Sequence, residues 1–178
     1  MANPSTQNQT ATNSILDEFN KQAYLGNQYV VGVNAITIGS VGTEYPLLVM
    51  TNSSSPSTSL APALSCFHNL RKFSCGDISG STGVLFRVYL NPTSVSGGSS
   101  VTPVNVRSGS SNKSVCTVLK QPTVGTKGTF LAEFPVGWAA QNQSNAMIIV
   151  DPGDSLLITG EPVSGSTTAV AEAVWYEL

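Results

Sequence analysis

The stretch VLFRVYL, residues 84 to 90, places Val84, Phe86, Val88 and Leu90 on one side of an extended chain and Leu85, Arg87 and Tyr89 on the other. Side chains alternate across a β-strand with period two, so this pattern predicts a strand with one packed face and one partly wet face. From residue 28 onward the same period recurs, rich in β-branched residues and interrupted by Gly, Pro, Asn and Ser. It predicts strands over 28–39, 45–52, 64–70, 83–91, 114–121, 128–135, 146–151, 155–160 and 167–178. Many short strands separated by turn residues define an all-β protein, an antiparallel β-sandwich.

Two of these segments carry further information. In the last strand, Ala169, Ala171, Ala173 and Trp175 alternate with Val170, Val174 and Tyr176, so both faces look covered. The small alanines suggest close packing, with a second subunit as one candidate neighbour. The pattern runs to Leu178, which predicts a C-terminus built into the sheet. The stretch MIIVDPGDSLLITG, residues 147 to 160, sets Asp151-Pro152-Gly153-Asp154 between two apolar runs. Pro is preset for the second position of a turn and Gly can take a positive φ at the third, so a corner is expected. A calcium site would need several more converging oxygens.

Length and charge bound the function. A chain of 178 residues matches one domain, which at that size buries roughly 70% of the surface its unfolded form exposes. Only 10% of residues are charged against 40% hydrophobic, which suits a sheet protein with long uncharged loops. A net charge of −2 and a pI near 5.2 leave no cationic excess for a nucleic-acid backbone, so no nucleic acid is expected as a partner. The densest basic point is Arg71-Lys72, read as a solvated pair. No apolar run reaches membrane-spanning length, and MANPSTQNQTATNS at the start has neither the basic nor the apolar region of a signal peptide. No membrane partner is expected.

The three cysteines, Cys66, Cys75 and Cys116, show no CxxC spacing and are expected as buried reduced thiols. A Cys66–Cys75 hairpin crosslink stays open for an oxidising compartment, and a metal site around His68 would need a ligand from elsewhere. Cofactors and metals are not expected. His68 is the sole histidine, no GxSxG, P-loop or GxGxxG occurs, and acids such as Glu133 and Asp151 are paired by no sequence feature. An enzyme is not expected.

Residues 1–27 read as an N-terminal arm ahead of a β-sandwich domain at 28–178. Ser14 and Asp17 have the form of a capping box, and Ile15 and Phe19 share a helical face, so a short helix is expected there. Ile15, Leu16, Phe19 and Tyr24 are the candidate partner-binding residues of an arm that gains order by lying on its own domain or on a neighbour.

The stretch from 83 to 119, GVLFRVYLNPTSVSGGSSVTPVNVRSGSSNKSVCTVL, resembles the jelly-roll virion proteins of tailed bacteriophages. There a strand like RVYLNPT leads through a Gly-rich loop to TPVNV and GSS, and a corner like DPGDSLLITG precedes a last strand ending as WYEL does here. The resemblance spans roughly residues 30 to 178. It implies a jelly-roll-like sandwich acting as a capsid decoration or cement protein, a homotrimer made in the host cytoplasm and carried on the virion surface, with the major capsid protein as its partner. The family supplies no functional residues to carry over. The alternative is a neck, tail or head-fibre module of the same fold. In that case Trp138 in FPVGWAAQNQSN, or Tyr89, would stack on a glycan.

Overall fold

The computed structural model describes residues 20–53, 66–76, 83–136, 141–142 and 147–177. The period-two segments form β1 (Gln28–Ile38), β2 (Tyr45–Asn52), β3 (Cys66–Gly76), β4 (Val84–Leu90), β7 (Cys116–Lys120), β8 (Thr129–Val136), β10 (Met147–Val150), β11 (Ser155–Pro162) and β12 (Thr167–Glu177). Between them lie three two-residue strands that the sequence pattern does not reveal: β5 (Ser99–Ser100), β6 (Val104–Asn105) and β9 (Gln141–Asn142).

The pairing is nested. β1 pairs with β12, β2 with β11, β3 with β10 and β4 with β8, all antiparallel. A long antiparallel hairpin of this kind cannot bury its apolar side while flat, so it rolls up. The result is one sheet in the order β10-β3-β12-β1-β6, with β9 beside β3, and a second in the order β5-β7-β2-β11-β4-β8. The fold is an antiparallel β-sandwich of jelly-roll form. The segment 91–128, between β4 and β8, is an addition to the roll. Its β5 and β7 extend the second sheet beyond β2, while its β6 extends the first sheet beyond β1. That segment therefore clasps both sheets along one side of the sandwich.

The core lies between the sheets. Ile38, Leu48, Met50, Phe86, Val88, Leu156, Ile158 and Trp175 are all fully buried within it. A register shift in β2, where Ile158 faces Leu48 but Thr159 faces Pro46, lets the adjacent Leu47 and Leu48 both enter the core. Gly160 makes room beside them, since a Cβ there would meet Leu47 and Val84 atoms at 3.1 and 3.3 Å.

Several expectations need correcting. β3 runs through Arg71-Lys72 to Gly76 rather than ending at residue 70, because pairing with β12 resumes at Lys72 after a register shift at residues 70–71 and continues to Gly76. The alanine face of β12 packs inward: Ala169, Ala171, Ala173 and Trp175 are buried in the intersheet core of the same chain. Trp175 packs there beside Tyr29 of β1, their rings 6.0 Å apart. Tyr89, assigned by alternation to the wetter face, is only 8% exposed, for a reason that belongs to the segment covering it. Cys66 and Cys75 occupy opposite ends of the one strand β3, nine residues or roughly 30 Å apart, so no hairpin brings them together.

Candidate functional site

The outer face of the second sheet carries an ionic cluster. Arg87 on β4 binds three carboxylates: Glu133, its cross-strand partner on β8, Glu161 on β11, and Glu44 at 3.0 Å from the approach to β2. Lys127 reaches Glu44 at 2.8 Å. Glu44 also accepts hydrogen bonds from the Tyr89 hydroxyl at 2.9 Å and the Thr159 hydroxyl at 3.0 Å. Partial burial pushes the Glu44 carboxyl up, but the bonds from Lys127, Tyr89 and Thr159 outweigh this and hold it below the ordinary glutamate value. Burial, with the bond to Glu44, pushes the Tyr89 phenol up to about 12. Arg87 is held above its ordinary value by the bond to Glu161 first, against its own burial.

This chemistry is that of a lock. Each carboxylate is committed to a cation, and a glutamate below its ordinary pKa is a weak base at neutral pH. A group with a lowered native pKa contributes stability that is complete above its unfolded pKa and is lost as pH falls through the native one. Glu44→Gln is expected to cost about 1 to 3 kcal/mol at pH 7 and to flatten the loss of stability below about pH 5. Urea titrations across that range check this; an unchanged acid limb would show that Glu44 does not set it.

Beside the lock, two segments fold back over the sheet. Residues 91–98 and 121–128 bridge each other at Thr93–Thr126 and Ser96–Thr123. Val95 and Val124 from this flap pack on a second small core of Val49, Tyr89 and Leu157. That cover is why Tyr89 is buried on a face that alternation alone leaves wet.

The C-terminal aromatic and acidic pair ties the sheets together. Trp175 Nε1 donates to Glu177 Oε1 at 2.9 Å, and the same carboxylate accepts from the Ser114 hydroxyl and, at 3.0 Å, from the Val115 amide ahead of β7. Glu177 is 6% exposed, so removing its acceptors leaves three donors unsatisfied in a poorly hydrated place. Glu177→Ala is expected to cost about 2 to 4 kcal/mol, with thermal unfolding as the readout.

Asp151-Pro152-Gly153-Asp154 is a corner between β10 and β11. The Asp154 amide donates to the Asp151 carbonyl at 2.9 Å, and Gly153 has φ 89°. Asn52 and Asn91 brace it: the Asn52 side chain donates to Val150 O at 2.9 Å, and the Asn91 side chain donates to the Asp154 carboxylate at 3.0 Å.

The remaining candidate residues divide. Ile15, Leu16, Phe19 and Trp138 lie outside the described residues. Tyr24 sits in a helical turn over residues 20–25 and is 76% exposed, with the Arg107 guanidinium 5.4 Å from its ring centre. Side chains of the inserted segment hold that turn against the body: Asn105 donates to Gly26 O at 2.7 Å, and Asn112 donates to Gly26 O at 3.2 Å and Asn27 Oδ1 at 3.1 Å. Cys116 is buried in the core, 5% exposed. His68 lies on β3, opposite Ile148 on β10 and Trp175 on β12. Among the described residues no three His, Cys, Asp or Glu side chains gather as a metal site, and none of their helices is long and apolar enough to cross a membrane.

Fold and site together define a class: a jelly-roll sandwich with a clasping insertion, a salt-bridged outer face and an exposed aromatic at one end. No family model, curated protein or solved structure matches the chain.

Proposed function

We propose that this chain is a virion structural protein of a tailed bacteriophage, a decoration or cement protein that binds the outside of the assembled head and stabilises it by protein–protein contacts. The proposed assembly is a homotrimer on the virion surface, with the major capsid protein as partner. The resemblance of residues 83–119 and of the DPGDSLLITG and WYEL stretches supports the reading. Fold alone does not, since jelly rolls serve many functions. The observation that carries it is where apolar surface is exposed. Of the nine exposed large apolar side chains among the described residues, Tyr24, Leu25, Val104 and Val106 fall on the helical turn and the inserted segment. The charged groups of the outer face are spent on one another instead of being poised for a reaction.

A protein that binds the assembled shell and not its precursor stabilises the shell by mass action. Repetition over the lattice, with several subunits per assembly, turns a modest contact into firm attachment. Quantitative mass spectrometry of purified particles of the parent virus tests this. A copy number comparable to the shell protein is expected. A number far below it would move the chain to a neck or fibre, and absence from particles would sink the virion reading.

A further inference from the structure

We infer that the end of the sandwich built by the helical turn 20–25 and residues 104–113 is a docking surface for a protein segment that combines carboxylates with apolar side chains. The inference rests on the reading of the chain as a module that works through protein contacts. Tyr24 at 76%, Leu25 at 46%, Val104 at 62% and Val106 at 48% exposed give this end its apolar character. Arg107 lies over Tyr24, and aromatic and arginine side chains are those enriched at the energetic centres of interfaces.

Charge decides the chemistry of the partner. Arg107 and Lys113 are exposed and make no ion pair among the described residues. Residues 20–30 and 101–114 contain no carboxylate at all, in a chain whose net charge is −2. The nearby Glu177 is 6% exposed and committed to Trp175, Ser114 and Val115. Among the described residues the surface is therefore locally cationic and apolar, and an acidic, apolar partner complements both properties.

The surface is also preorganised. Val104 and Asn105 pair with Val30 and Tyr29 of β1, the Val106 amide donates to Gln28 O at 2.9 Å, and the Arg107 amide donates to Asn105 Oδ1 at 2.9 Å. Asn105 and Asn112 then hold Gly26, where a side chain would collide with Ser110 Oγ at 2.5 Å. Little ordering entropy remains to be lost when a partner arrives.

Amide-shift mapping on the full chain tests this, using a synthetic peptide of alternating Glu and Leu, with controls in which Lys or Ser replaces Glu. The acidic peptide alone is expected to move the signals of Tyr24, Val104, Val106 and Arg107. The double variant Arg107→Glu, Lys113→Glu should bind it at least about tenfold more weakly, take up the Lys peptide instead, and keep its unfolding temperature because both side chains are exposed. Shifts elsewhere, or equal binding of the Ser peptide, would overturn the inference. Concentration-dependent shifts of the same amides without peptide would also overturn it, by making a second copy the occupant. Copy number in particles is read separately. Peptide binding by a chain absent from virions would sink the virion reading alone, while incorporation without peptide binding would sink the docking surface alone.

Discussion

Trp175→Ala is expected to lower the stability of the protein by about 3 to 5 kcal/mol, the range for emptying a large aromatic site in a packed core. Trp175 is fully buried in the intersheet core and lies against Tyr29, so its removal leaves a large cavity. The substitution also strips one donor from Glu177, whose other bonds reach to the start of β7 in the opposite sheet. For a domain of this size the unfolding temperature should fall by roughly 10 °C. Trp175→Phe keeps one aromatic ring and much of the buried volume but loses the indole N–H, so it should cost less than Trp175→Ala. Calorimetry of both variants separates packing from the hydrogen bond, and equal losses would show that the bond dominates.

Gly128→Ala should be the most damaging single methyl in the flap. A Cβ on Gly128 would lie 2.1 Å from the Leu90 carbonyl oxygen and 2.5 Å from that of Asn91, both backbone atoms, and its φ of 84° disfavours any L side chain. The chain must move, which lifts residues 121–128 and uncovers Val49, Tyr89 and Leu157. A loss of about 3 kcal/mol is expected, a φ penalty of order 1 kcal/mol plus the lost packing. Hydrogen exchange should locate it: amides in 91–98 and 121–128 lose protection while those of β11 and β12 keep theirs. Unchanged protection in the flap would show that the close approach relaxes without moving it.

How far the sequence was legible depends on whether a feature is local. The alternation in VLFRVYL and its neighbours is a property of consecutive residues, so strand identity was readable before any pairing was known. The Asp151–Asp154 corner was readable for the same reason, since Pro and Gly impose their dihedrals on their own turn. β5 and β6 were not, because two residues carry no period and exist as strands only through partners on β7 and β1. The extra length of β3 was hidden by Arg71-Lys72, whose charge looks like an ending until β12 lies alongside.

The ionic lock shows the same division at the level of function. Arg87, Glu133, Glu161 and Glu44 lie far apart in sequence, and only the register that sets Arg87 opposite Glu133 and Thr159 brings their side chains within reach. The WYEL terminus was visible as a motif, but its meaning, a buried carboxylate bonded to Trp175 and to the start of β7, needed the second sheet. Period-two hydrophobicity is written residue by residue, so the β-sandwich class follows from the order of amino acids alone. Which residues clasp, lock and face outward was decided only by the tertiary structure, because cross-strand register and the path of residues 91–128 depend on contacts between segments distant along the chain.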